Sequence, residues 1–250
     1  MTNSALTRAE KAQLSPHPES VTTIGFDADD TLWHNERFFV ITQDRFAEML
    51  ADFAPRPHLD ARLLEAEKRN LGRYGYGIKG FMLSMIETAL EVTEERVPGR
   101  IVSEILEAGQ EMLAHPIELL PHARAAVEAM AASHHRLILI TKGDLLDQER
   151  KLAQSGLGDY FDRVEIVSEK NAETYARIFE EHGDGPARAM MVGNSMKSDV
   201  LPMLETGGWG VHVPFELAWA LEHADAPVDH ERFRVLPSLG GLEALAAELG

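Results

Sequence analysis

Residues 22–36 read TTIGFDADDTLWHNE, which places Asp27, Asp29 and Asp30 within four positions just after a short apolar run. Like charges gathered at the edge of a core repel one another unless a cation, a proton or backbone donors offset them. Some partner must therefore gather these acids at the end of the run, where groups of this kind can take part in chemistry. Similar chemistry follows three later apolar runs. Thr141-Lys142-Gly143-Asp144 comes after LILI, Lys170 after EIVSE, and Gly193-Asn194-Ser195-Met196-Lys197-Ser198-Asp199 after AMMV.

These groups need a scaffold that brings the ends of apolar runs to one rim. RLILIT (136–141), RVEIVS (163–168), RAMMVG (188–193) and WGVHV (209–213) alternate with amphipathic stretches around 147–155, 171–181 and 199–206. That alternation predicts a parallel sheet covered by helices on both faces. The run at 21–26 lacks a nearby crossover partner and must join the same sheet. Between them, from Trp33 to about Leu113, Phe38, Phe39, Ile41, Thr42, Phe46, Met49 and Leu50 recur at helical spacing, as do Phe81, Met82, Met85, Ile86, Ala89 and Leu90. Pro55, Pro57 and the glycines of LGRYGYGIKG punctuate these helices. The expected organisation is a tail over 1–19, an α/β core over 20–33 and 115–250, and an inserted helical cap over 34–114. Ligands of such open sheets bind at the carboxyl ends of the strands, where the candidate residues fall.

Composition narrows the partners. The 250 residues are 44% apolar and 26% charged, with 41 acidic against 24 basic side chains and a formal net charge of −17. Such a surface repels phosphate backbones, and no Lys/Arg block interrupts it, so no nucleic-acid partner is expected. No apolar run is long enough to span a bilayer, and the polar first twenty residues lack an apolar signal core, so neither membrane insertion nor secretion by signal peptide is expected. The absence of cysteine excludes disulfides and thiolate metal sites, and the expected location is cytoplasmic. The eleven histidines show no paired spacing on one helix, which argues against a zinc site.

Taken in order, Asp27-x-Asp29-x-Thr31, a strand ending in Thr141, Lys170, and Gly193 through Asp199 resemble the four dispersed motifs of the haloacid dehalogenase (HAD) superfamily. The resemblance implies a Rossmann-like α/β core with a helical cap, and a phosphatase acting on a small phosphorylated metabolite. It implies Asp27 as the nucleophile that becomes an aspartyl-phosphate. Asp29 would then protonate the leaving oxygen and later deprotonate water, Thr141 would bond a phosphoryl oxygen, and Lys170 would neutralise charge on phosphate and Asp27. It also implies Mg²⁺, held by the Asp27 side chain, the Asp29 backbone carbonyl and the fourth motif. A hard cation fits the meeting of carboxylates with a phosphate dianion.

The fourth motif departs from the family pattern, because its usual first acid is Asn194 here. Either Asn194 ligates the metal with Asp199 in support, or Asp199 is the ligand; Asp199 is the favoured acid. Lys142 and Gly143 join Thr141 as substrate-binding candidates. Tyr76 and Lys79 are expected to touch substrate from a cap loop lowered over the core, with Tyr74 beside them. Asp30 reads as a turn-shaping residue, and Trp33, Trp209 and Trp219 as packing residues. Three other readings compete: a phosphomutase, a metal-independent 2-haloacid dehalogenase, and a non-catalytic binding module. Asp29 argues against the dehalogenase, because those enzymes lack the second acid of the first motif.

Overall fold

In the computed structural model, residues 20–217 and 219–250 are described; the tail expected over 1–19 lies outside them. Six parallel strands form one sheet: β1 (Thr23–Phe26), β2 (Arg136–Lys142), β3 (Arg163–Val167), β4 (Ala189–Gly193), β5 (Trp209–His212) and β6 (Phe233–Val235). Their spatial order is β3-β2-β1-β4-β5-β6, so β1 lies at the centre, paired with β2 on one side and β4 on the other. Phe26 aligns with Leu139 and with Val192, which brings the ends of all three strands to the same rim. The order reverses between β1 and β4, the position where an open α/β sheet leaves a crevice for a ligand.

Residues of β1 and β4 are buried throughout, as their uninterrupted apolar character demands of a sheet covered on both faces. Phe26, Leu139, Val192 and Val211 pack on one face with Trp33 and Leu242, while Ile138, Ile140, Tyr175, Phe179 and Met191 pack on the other.

Four helices fill the insertion: α1 (Glu36–Met49), α2 (Arg56–Tyr74), α3 (Ile78–Val92) and α4 (Gly99–Ala114). They share a core of their own, centred on Phe46, Leu59, Leu63, Met85 and Ile105. The loop between α2 and α3, Gly75 to Gly77, is the glycine-rich break seen in the sequence; both glycines have positive φ. The remaining helices are α5 (Ala123–Ala132), α6 (Leu145–Ser155), α7 (Ala172–His182), α8 (Leu201–Glu205) and α9 (Leu242–Leu249).

Asp144 caps α6 by accepting from the Asp147 N–H at 3.1 Å, and Asn171 caps α7 by accepting from the Thr174 N–H at 2.8 Å. The single helix expected around 199–206 is instead a π-turn over Met196–Val200 followed by the short α8. The Asp199 and Val200 N–H groups share the Ser195 carbonyl, while the Ser195 hydroxyl takes the Ser198 N–H; these local bonds wind the turn wider than an α-helix. Strand β6 and helix α9, absent from the sequence reading, extend the sheet and close one face.

Candidate active site

The rim of the sheet and the underside of the cap enclose a cavity of about 190 Å³. Asp27, Asp29, Thr141, Lys142, Gly143, Lys170, Asn194 and Asp199 line it from the core, and Tyr76 lines it from the cap loop. Lys79 does not line the cavity, contrary to expectation. Its exposed ammonium pairs with Asp144 at 2.9 Å, tying cap to core beside the opening, and this bond holds the Asp144 carboxyl below its ordinary range. Tyr76 spends its hydroxyl on Glu169, at 3.0 and 3.1 Å, and its ring lies over the Lys142 ammonium. Trp219, expected to be a packing residue, lines the cavity and meets the Tyr76 ring edge-on.

At the centre, the Lys170 ammonium donates to Asp27 Oδ1 and, at 2.7 Å, to Asp199 Oδ1. Burial opposes the charge on Lys170, but Asp199 and Asp27 outweigh it and hold its pKa above the ordinary lysine value. Burial raises the Asp27 carboxyl to about 7, with Lys170 pulling the other way and Asp199 adding to the rise. Asp27 Oδ2 accepts from the Thr31 hydroxyl at 2.9 Å, and Thr31 in turn accepts from the Asn194 N–H at 3.0 Å. The threonine of the first motif therefore links the ends of β1 and β4.

Asp199 is fully buried and both its oxygens are committed, one to Lys170 and the other to the Ser195 N–H at 2.9 Å. Gly193 makes this approach possible, because a Cβ there would stand 2.2 Å from Asp199 Oδ2. Asp199 was the favoured acid of the fourth motif, yet the side chain that reaches Asp27 Oδ2 is Asn194. The end of its amide lies 3.2 Å from Asp27 Oδ2, 3.2 Å from the Asp29 carbonyl and 3.2 Å from Thr31 Oγ1. Turned nitrogen-inward, the amide would donate to these atoms. Turned oxygen-inward, it completes a triangle of oxygens with Asp27 Oδ2 and the Asp29 carbonyl, which a cation stabilises.

The two 3.2 Å edges that meet at Asn194 fit magnesium, since octahedral ligands about 2.0–2.1 Å from the ion lie roughly 3 Å apart. Among the described residues, no group of three or more His, Asp or Glu side chains is placed to hold a metal. A mixed set of one carboxylate, one amide and one backbone carbonyl does not form such a group, and oxygen donors of these kinds are what magnesium takes.

Asp29 is anchored at the opposite side of the motif. Its carboxylate accepts from Trp33 Nε1 at 2.7 Å, Gln148 Nε2 at 2.9 Å and Lys151 Nζ at 3.0 Å. Gly143, at φ +136, is needed where Gln148 crosses it, because a Cβ would meet Gln148 Nε2 at 2.8 Å. Asp30, at φ +58, accepts from the Asn35 and Glu36 N–H groups and so caps the entry to α1; burial raises its carboxyl to about 7. Thr141 is buried, and its hydroxyl makes only a 3.3 Å contact to the Lys142 carbonyl. Lys142 binds Ser198 at 2.8 Å and Glu222 at 2.7 Å. Burial pushes Glu222 up, but Lys142, Ser195 and Ser198 outweigh that and leave it below its ordinary range.

Sequence reasoning missed Gln148, Lys151 and Glu222. For the first two a signal existed: α6 buries Asp147, Gln148, Lys151 and Ser155 while exposing Leu145 and Leu146. A helix that turns its polar side inward faces a polar site, not a core. Glu222 carries no local pattern.

The parallel α/β sheet thus presents a carboxylate–lysine–carboxylate cluster beneath an inserted helical cap. The chain matches the family model of the haloacid dehalogenase-like hydrolases over residues 21–207, and it belongs to that family. No curated protein matches it. Among solved structures, a haloacid dehalogenase-like family hydrolase from Xanthomonas campestris is 42% identical, with 93% of each chain covered and a TM-score of 0.82. The HAD-hydrolase YfnB from Bacillus subtilis, bound to magnesium, is similar at 13% identity and TM-score 0.63, covering 91% of this chain and 99% of its own. L-2-haloacid dehalogenase from Xanthobacter autotrophicus, with chloropropionic acid covalently bound, is similar at 18% identity and TM-score 0.60, covering 92% of this chain and 100% of its own. These last two share the fold.

Proposed function

We propose that the protein is a magnesium-dependent phosphatase that hydrolyses a small phosphorylated metabolite through a phosphorylated Asp27. The observation that carries this reading is the Asn194 side chain lying 3.2 Å from both Asp27 Oδ2 and the Asp29 carbonyl. These three groups would hold the ion, which supplies positive charge to the phosphoryl oxygens when bound.

Lys170, fixed between Asp27 and Asp199, keeps the nucleophile oriented and adds charge where the transferred group accumulates it. Attack by the Asp27 carboxylate forms an O–P bond as the ester O–P bond breaks, and the departing oxygen takes a proton from Asp29. Water then attacks phosphorus, giving its proton to Asp29, and the Asp27–phosphorus bond breaks to release phosphate. Thr141, which lines the cavity with its hydroxyl making only a 3.3 Å contact, would bond a phosphoryl oxygen. The Gln148 and Lys151 bonds hold the Asp29 side chain at one side of the cavity, and it swings from them to reach the ester oxygen. The small volume of the cavity beneath the cap, about 190 Å³, favours a small soluble monoester over a phosphoprotein.

The test is phosphate release from p-nitrophenyl phosphate with and without Mg²⁺. Turnover should require the ion and fall by about 10³-fold or more in Asp27→Asn. Chloride release from 2-chloropropionate without Mg²⁺, or no metal-dependent turnover across a broad panel of phosphate esters, would overturn the proposal. A requirement for a bisphosphate activator without net phosphate release would reassign the site to a phosphomutase.

A further inference from the structure

Two carboxylates and an amide stand among apolar side chains such as Phe39, Leu71 and Phe81 on the cap-side wall of the cavity. Glu36, in the first turn of α1, and Glu67, on α2, both line it. Among the described residues neither forms an ion pair, and the charges that bear most on Glu36 are carboxylates: Asp30, Glu67, Asp29 and Glu222. Burial and that repulsion push the Glu36 carboxyl to about 8, and burial pushes Glu67 to about 7 against the opposing pull of Trp219.

A separate observation comes from Asn70, which is 2% exposed and also lines the cavity. Its Nδ2 donates to Ser84 Oγ at 3.1 Å. The Ser84 hydroxyl proton is spent on the Gly80 carbonyl at 2.9 Å, so Ser84 has only lone pairs to offer and the orientation of the Asn70 amide is fixed. Asn70 Oδ1 is left with no partner, a buried acceptor that a donor from a ligand would satisfy.

We propose that this wall, Glu36, Glu67 and Asn70 Oδ1, recognises a primary ammonium group on the alcohol portion of the substrate, making the preferred ester an aminoalkyl phosphate. The proposal rests on the phosphatase reading and specifies its substrate class. A primary ammonium supplies three N–H donors and one positive charge, which meets one orphan acceptor and two carboxylates that the protein leaves without a cation. The rings of Phe39, Phe81, Tyr76 and Trp219 surround the same space and suit a desolvated cation. The phosphoryl end then lies at Asp27 and Lys170 on the core side.

Binding of 3-aminopropylphosphonate and of the near-isosteric butylphosphonate to the magnesium-loaded protein should be compared by calorimetry, because neither can be hydrolysed. The ammonium compound should bind about tenfold or more tightly, and Glu67→Gln, checked for folding by circular dichroism, should shrink that ratio. The kcat/KM ratio for 3-aminopropyl phosphate over butyl phosphate should move in the same direction. Equal or weaker binding of the ammonium compound by wild type, or an unchanged ratio in both Glu67→Gln and Glu36→Gln, would overturn the inference. If p-nitrophenyl phosphate is turned over but the two phosphonates bind alike, this inference alone fails; if no ester is turned over, the phosphatase reading fails.

Discussion

The core-side and cap-side walls of the cavity both bury carboxylates, yet only one of them carries its own counter-charge. On the core side, Lys170 bridges Asp27 and Asp199, Lys151 holds Asp29, and Lys142 holds Glu222. On the cap side, Glu36 and Glu67 stand without a cation, and an amide oxygen is unpartnered. A charged group buried with its partner is set in place by folding, whereas one buried without a partner either holds its proton to higher pH or takes a counter-charge from a ligand. The core wall therefore has the character of machinery that must be correctly charged before substrate arrives. The cap wall has the character of a recognition surface, stabilised by what it receives.

Removing the core cation should make the core wall resemble the cap wall, at far greater cost. Lys170→Met leaves Asp27 and Asp199 facing each other in a fully enclosed position. The expected loss is about 3–5 kcal/mol of folding stability, the range for breaking a buried ion pair by removing one partner. Urea denaturation measures it, and a variant within 1 kcal/mol (roughly the surface range) of wild type would mean that Lys170 is not the fixed counter-charge its contacts indicate. Phosphate release should be lost as well, since Asp27, the proposed nucleophile, would lose both orientation and charge support.

The core wall was the more legible of the two in the sequence, for a physical reason. Its residues follow strands, and a strand end in a parallel sheet has a predictable location, so Asp27, Thr141, Lys170 and Asn194 could be assigned to one rim from apolar runs alone. The role of Asp199 was less legible. Its direction depends on the π-turn that Ser195 imposes and on the space Gly193 leaves, neither of which periodicity reveals. The cap wall was nearly invisible. Glu36, Glu67 and Asn70 sit on helices whose polar residues ordinarily face water, and only the docking of cap on core encloses them. Lys79 and Tyr76 were picked out by their place in a glycine-rich loop, and that loop places the first on the surface and the second inside.

A subtler change alters the charge of the core wall without removing its cation. Asn194→Asp restores a carboxylate where Asn194 now meets Asp27 Oδ2 and the Asp29 carbonyl. A second anionic side chain on one ion strengthens its binding, so Mg²⁺ affinity by calorimetry should rise by about tenfold. In metal-free protein the same variant should be less stable than wild type, because the added charge faces Asp27. Unchanged affinity would place the ion away from Asn194 and undo the assignment of this face of the wall.

The smallest expected effect is the pH dependence of the cap wall. Below about pH 4.5, the ordinary glutamate value, Glu36 is protonated in both folded and unfolded chains and adds no penalty. As the pH rises, the unfolded chain releases this proton first, because the folded carboxyl holds it up to about 8. The folded state then binds more protons than the unfolded one, so the slope of unfolding free energy with pH is negative and stability falls between about pH 4.5 and 8. Glu67 contributes in the same direction up to about 7. Asp27 and Asp30, both raised to about 7, add their own decline, so the informative quantity is the difference between wild type and Glu36→Gln. That variant should lose less stability between pH 5 and 8, by on the order of 1 kcal/mol, in urea titrations at each pH. Parallel curves would mean that Glu36 is compensated in the folded chain, and the contrast between a wall that carries its counter-charge and one that awaits it would narrow to Glu67 and Asn70.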